Sequence, residues 1–364
     1  MRATDSLHSM FLMVIIILYV HSACYAHNNN NKKINISAAF VFGDSTVDPG
    51  NNNYLPTIAR ANYPPYGKDF ANHVATGRFS NGRLVTDFIG EFIGLKRNLP
   101  PYLDPSLTMN DLMTGVSFAS SAGGYDPLTS KVNGALTMMQ QLELFKEYKA
   151  KLEVSIGKQK TDDIVRRAGY VVSSGTNDFA LNYYGPTLVQ RSAYPNISDY
   201  HHFMWHNIER FLQGLLDEGA KVIGIVGVPP IGCLPAMITL HSKEFVTNRK
   251  CIENLNDVSK KFNQMLQNNL KGLKTKGTKI VYGDIYKPII NMVEQKTQYG
   301  FEEVQKGCCG TGLIEADFLC NFNSQLCDDV SKYVFWDSVH PTEKVYKLIY
   351  ESLRTSVLKE ISKP

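Results

Sequence analysis

Long apolar runs are nearly absent from this 364-residue sequence. The one that exists, positions 11–20, is shorter than the roughly 20 residues that cross a bilayer as a helix, so no integral membrane span is expected. Arg2 precedes it and small residues around Ala23 to Ala26 follow it, which is the arrangement of a secretory signal peptide cleaved near Ala26. An uncleaved anchor is the rival reading; the shortness of the run and the Asn/Lys tract behind it argue against it. The expected layout is a signal peptide over 1–26, a solvated tail over 27–37 and one folded domain over 38–364. Internal repeats, heptads and long low-complexity linkers are missing as well, which excludes solenoid and coiled-coil architectures.

An excess of charge of one sign is also missing. Lys and Arg number 38 against 34 Asp and Glu, a net +4, and loss of 1–26 removes one base (Arg2) and one acid (Asp5), so the balance stays at +4. That is too small and too dispersed for a nucleic-acid partner. Two further absences narrow the chemistry. Without G-x-S-x-G the chain is not built on the nucleophile elbow of α/β-hydrolases. Without a phosphate loop or dinucleotide fingerprint no organic cofactor is implied. The apolar share of 43% still provides for a core, and 20% charged residues argue against disorder.

Cysteine is scarce in the first half and concentrated in the second: Cys233, Cys251, Cys308, Cys309, Cys320 and Cys327 remain after signal cleavage. No C-x-x-C pair supports a zinc site, and an exported chain favours disulfides. Six cysteines leave 15 connectivities open. The expected set joins Cys233 with Cys251 and pairs Cys308 and Cys309 among Cys320 and Cys327. Sequons at Asn35 and Asn196 are candidate glycosylation sites in the secretory pathway.

What is present is an alternation of two patterns. Short apolar runs at 38–42, 115–119, 170–174, 221–228 and 279–285 read as buried strands of a parallel sheet. Helical patterns lie between them at 81–94, with Ser80 or Asn81 as cap, and at 140–153, 198–217 and 252–273; a last helix starts at Thr342. Strands alternating with helices imply right-handed crossovers and a three-layer α/β/α sandwich around a five-stranded, mainly parallel sheet. Ligands in such sheets bind beyond the carboxyl ends of the strands.

Ser45, in "FGDSTVDPGNNN", follows the first strand and stands on that edge. A serine capping the next segment is the plain alternative. A serine needs a base to become a nucleophile. "FWDSVHPTE" supplies one: Asp337, three residues before His340, can reach Nδ1 and leave Nε2 for a hydroxyl. By itself that pair is more often just a loop before a helix. At the end of the third predicted strand, "GTND" places the Asn177 amide on the same edge as a donor to the charge that develops in acyl transfer. The long segment 48–110, rich in Tyr-Pro-Pro-Tyr turns, is expected to rim the cleft with aromatic surface.

These blocks, in this order, resemble the plant GDSL esterase/lipase family of the SGNH hydrolase superfamily. "RFSNGRLVTDFIGEFIGL", "GVSFASSAGG", "GVPPIGCLP", "YGDIYKPI" and "CCGTG" carry the resemblance through the rest of the chain, from about Ala38 to the last helix; Thr46 stands where the family more usually has Leu. The resemblance implies a flavodoxin-like fold and a secreted, extracellular (apoplast or cell-wall) hydrolase of lipid or other small carboxylic esters. It assigns Ser45 as nucleophile, His340 as base and then acid, Asp337 as its orienting partner, and Asn177 with the Ser45 N–H as oxyanion donors. It also implies a backbone donor from the second block, where Ala122, Gly123 and Gly124 are candidates and Gly123 is chosen. Rival readings are acyl transfer to a hydroxyl other than water through the same acyl-enzyme, a non-catalytic secreted binding protein on this scaffold, and a metal-dependent hydrolase using His202 and His206 at i, i+4. The last lacks the Glu of H-E-x-x-H and an evident third ligand, and no metal is expected.

Overall fold

The computed structural model describes residues 36–185, 189–273 and 277–361. The expected signal segment, the tail as far as position 35 and the Asn35 sequon lie outside the described residues.

Four parallel strands, β1 (Ala39–Gly43), β2 (Gly169–Ser173), β3 (Val222–Val226) and β4 (Lys279–Gly283), pair in that order with no register shift. The fifth expected strand, 115–119, is reduced to a one-residue bridge: Ser117 pairs with Val41 on one side and Pro101 on the other. Phe118 N–H donates to Val41 O, Ser120 N–H to Gly43 O and Val41 N–H to Val116 O, but the Gly43 N–H that would continue the ladder goes to Gln141 Oε1 instead. Spatially the segment still lies outside β1, so the order is 115–119, β1, β2, β3, β4, the doubly wound arrangement with its switch point between β1 and β2. A separate parallel pair, β5 (Glu303–Gly307) with β6 (Tyr333–Phe335), was not evident from periodicity.

The helices that frame the sheet are α1 (Val85–Phe92), α2 (Met138–Ile156), α3 (Ile197–Asp217), α4 (Pro235–His241), α5 (Glu253–Leu270), α6 (Tyr286–Glu294) and α7 (Glu343–Leu353). Strand alternation divides the sheet into unequal faces. Phe40, Phe42, Tyr170, Val172, Ile223 and Ile225 project to one side, where Phe118, Phe145, Tyr148 and Phe211 close a fully buried aromatic core. The other side carries Val41, Gly43, Val171, Ser173, Gly224 and Val226 beneath α1 and α7.

Two helix starts differ from expectation in how they are capped. α1 begins at Val85 rather than after Ser80 or Asn81, because the Asp87 carboxylate accepts the Leu84 N–H and is itself held by a buried, bidentate Arg78. Asn81 instead accepts the Glu343 N–H at the start of α7, while the Thr342 hydroxyl turns away to Tyr333 O. A single amide thus ties the first helix segment to the last.

The disulfides are Cys233–Cys251, Cys308–Cys327 and Cys309–Cys320.

Candidate active site

β1 ends at Gly43, whose φ of 143° and approach to β2 exclude any side chain: a Cβ would stand 1.8 Å from Ser173 O. This glycine lets the chain leave the sheet sharply and brings Ser45 to the carboxyl edge. Asp44 is buried beside it and accepts the Thr46 N–H (3.0 Å) and hydroxyl (2.7 Å). Burial pushes the Asp44 carboxyl up to about 6 against those bonds. Thr46 therefore gives the turn a hydrogen bond that a leucine at this position could not.

The "DPGNNN" run is not a solvated loop. Asp48 accepts N–H bonds from Gly50, Asn51 and Ser121. Asn51 donates to Ser117 O and Ala119 O, and Asn52 to Ala59 O and Ser121 O. All three side chains are buried, so they bolt the Ser45 turn to the 117–121 segment beside it.

On the opposite wall, β5 and β6 present the turn that carries Asp337 and His340. Gly307 passes so close that a Cβ would meet the Asp337 backbone at 2.6 Å. Asp337 Oδ1 accepts the Val339 and His340 N–H groups at 2.8 and 2.7 Å, and Oδ2 accepts the Tyr66 hydroxyl at 2.8 Å. The His340 ring meets both oxygens through Nδ1, at 2.9 and 2.8 Å, and its Nε2 lies 2.8 Å from Ser45 Oγ. Ser45, Asp337 and His340 are thus brought into one hydrogen-bonded chain across 295 residues of sequence. Burial disfavours the imidazolium, but Asp337, with Asp317 and Asp44 behind it, outweighs this and holds His340 above its ordinary value.

Asn177 follows β2 and lies against the same cavity as Ser45 and His340. One Nδ2 hydrogen goes to Gly123 O at 2.9 Å, leaving the second of its two for another acceptor. Its neighbour Asp178 accepts from Tyr125 N, Asp126 N and the Thr129 hydroxyl, tying this turn to the 123–130 segment; burial pushes its carboxyl up to about 8. Of the three candidate backbone donors, Gly123 and Gly124 already have partners for their N–H groups. The Gly123 N–H is spent on Ser120 O and that of Gly124 on the Ser130 hydroxyl. Ala122 lines the cavity with a φ of 62°, a conformation that strains a residue with a Cβ, and its N–H has no partner among the described residues.

The aromatic segment also behaves differently from expectation. Tyr66 is 1% exposed and packs edge-on against Phe79 and Trp336, and Phe79 lies 4.7 Å from the His340 ring. These rings support the histidine turn from beneath. The rim is apolar and aliphatic in the main, with Leu181, Leu240, Ile314 and Phe318 exposed around the opening. Asp317, on a turn anchored by Cys309–Cys320 and at φ 49°, lines the cleft; burial pushes its carboxyl up to about 7. Nothing in its spacing marks Asp317 or Tyr66 in the sequence. His202 and His206 sit exposed on α3, and among the described residues no group of three or more His, Cys, Asp or Glu could hold a metal ion. Asn196 is exposed and its Oδ1 caps α3 on Ser198 N–H.

Comparison with known proteins agrees with this arrangement. The family model described as GDSL-like Lipase/Acylhydrolase matches residues 40–353. Three GDSL esterase/lipases of Arabidopsis thaliana are similar along most of their length: one is 50% identical over 90% of this chain and 88% of its own, another 47% over 86% and 88%, and a third 41% over 98% and 99%. With the match running from β1 to the end of α7, the chain belongs to the GDSL-like lipase/acylhydrolase family.

Proposed function

We propose that this protein is a secreted carboxylic ester hydrolase in which Ser45 forms the acyl-enzyme, His340 moves the proton and Asp337 holds the imidazole. The observation that carries the reading is the chain Ser45 Oγ, His340 Nε2, His340 Nδ1, Asp337, with contacts of 2.8 to 2.9 Å. Ser45 Oγ attacks the ester carbonyl while Nε2 takes its proton. The negative charge on the former carbonyl oxygen is met by the second amide hydrogen of Asn177 and by the N–H groups of Ser45 and Ala122, neither of which has a partner among the described residues. His340 returns the proton to the departing alcohol. Water then repeats the sequence on the acyl-enzyme and releases the acid.

The chain would act as one hydrolase domain over 38–364 once the segment 1–26 is removed, in the extracellular space (apoplast or cell wall) of a plant. Three disulfides support an oxidising destination. No helix among the described residues is long and apolar enough to cross a membrane. A glycan on Asn196 Nδ2 leaves its Oδ1 cap intact.

Ser45→Ala tests the reading: labelling by a fluorophosphonate and turnover of p-nitrophenyl esters both disappear while the circular-dichroism spectrum stays that of the parent. Wild-type rates in the purified variant would overturn it.

A further inference from the structure

The cleft that opens at Ser45 and His340 is unevenly furnished. Its lining is mostly apolar, from Ala180 and Leu181 through Met237 and Leu240 to Ile314 and Phe318. Beyond the catalytic side chains, the polar ones that line it among the described residues are Asp317 and Ser338, and the Ser338 hydroxyl is buried. Neither Lys nor Arg lines it among the described residues. One carboxylate therefore faces the substrate with no cation of the protein beside it.

That carboxylate is held in place. Cys320, bonded to Cys309, donates its N–H to Asp317 O at 3.0 Å, and Glu315 O accepts the Ser338 N–H at 2.8 Å, which ties the Asp317 turn to the turn that carries His340. Asp317 stands half-buried in the wall of the cleft, and its side chain has no hydrogen-bond partner among the described residues. Burial, to which Asp337 adds, raises the carboxyl to about 7 although His340 opposes the rise. A bound cation would relieve the cost of that uncompensated charge.

The reaction says which half of an ester lies there. The alcohol departs with the proton held on His340 Nε2, so its oxygen faces the histidine and the group behind it runs along the wall to which Asp317 is tied. The lining then selects among alcohols. A phosphate or carboxylate would meet Asp317 with no base to offset it. The hydroxyls of a sugar would lie along aliphatic walls without partners. A primary ammonium brings three donors to one acceptor group. A quaternary ammonium brings none: its methyl groups suit the apolar walls, its charge suits the carboxylate, and the rings of Phe79 and Phe318 are a surface such cations favour.

Resting on the hydrolase reading above, we propose that this cleft takes esters whose alcohol half carries a quaternary ammonium group, with Asp317 as the residue that recognises the charge. The test compares two esters of one shape that differ in charge, butanoylcholine and 3,3-dimethylbutyl butanoate, by kcat/KM at about pH 8, where Asp317 is ionised. Hydrolysis of p-nitrophenyl butanoate reports whether the site is assembled. Wild type should favour the choline ester about tenfold or more. Asp317→Asn should bring the two esters within about twofold of each other, and Asp317→Glu, which restores the charge, should recover part of the preference. Any effect of Asp317 on His340 acts on both esters alike and cancels in the ratio, so only contact with the cation moves it. A wild-type ratio near one or below, or an unchanged ratio in Asp317→Asn, would overturn the cation site and leave the hydrolase reading standing. The wild-type ratio decides on its own if the variants fail to fold. A wild type that hydrolyses none of the three esters would overturn the hydrolase reading itself.

Discussion

Replacing Tyr66 by Phe removes one oxygen from the floor of the site and nothing else. The ring keeps its edge-on contacts with Tyr63, Phe79 and Trp336. Asp337 loses one of its partners and retains the Val339 and His340 N–H groups and the imidazole. A hydrogen bond to a charged group is typically worth about 1.5 to 3 kcal/mol, and loss of all of it from the transition state would lower kcat about 10- to 150-fold. Because three contacts still fix the carboxylate, the expected fall is near the lower figure, about tenfold. Losing a donor also concentrates negative charge on Oδ2, which favours the imidazolium, so the acid limb of the pH–rate profile should move to higher pH. The assay is steady-state hydrolysis of a short p-nitrophenyl ester across pH, with denaturant unfolding in parallel. Asp337→Asn serves as reference and should fall far further, by roughly 10⁴, since the wrong tautomer is then favoured. If Tyr66→Phe kept kcat and the acid limb unchanged, the hydroxyl would be a packing partner with no part in positioning Asp337. If it fell as far as Asp337→Asn, the remaining contacts would not suffice to hold the carboxylate.

Asn177→Ala should retain slowed fluorophosphonate labelling and lose about 10²- to 10³-fold in turnover, the scale of one oxyanion donor; a loss under threefold would remove the amide from the oxyanion site. Three carboxylates, Asp337, Asp317 and Asp44, raise the His340 pKa from different elements. A general base must be neutral, so a raised pKa moves the acid limb up, and Asp317→Asn, which removes one of those charges, should move it to lower pH with the plateau rate little changed. A limb that stayed in place in the pH–rate profile would show Asp317 to be electrostatically remote from the base.

Much of the site was legible because its parts are local. Asp337 and His340 lie three residues apart, and their pairing needs only a turn. Ser45 and Asn177 each follow an apolar strand, and parallel strands in one sheet bring their carboxyl ends to one edge. The expected fifth strand is cut short by a different segment, since Gln141, which takes the Gly43 N–H, comes to lie beside β1 only in the fold.

The sequence alone thus determined the strand and helix alternation and pointed to Ser45, Asn177, Asp337 and His340 as candidate side chains, because short-range periodicity and adjacent chemistry encode them. The tertiary structure decided what depends on long separations. Tyr66 reaches Asp337 across 271 residues and Asn81 caps a helix 262 residues away. It also decided which backbone N–H of 122–124 is unspent, since that turns on one φ angle and on the Ser120 and Ser130 acceptors. A side chain's type is written in the chain, but its partner is set by which distant surfaces pack together, and only the folded molecule fixes that.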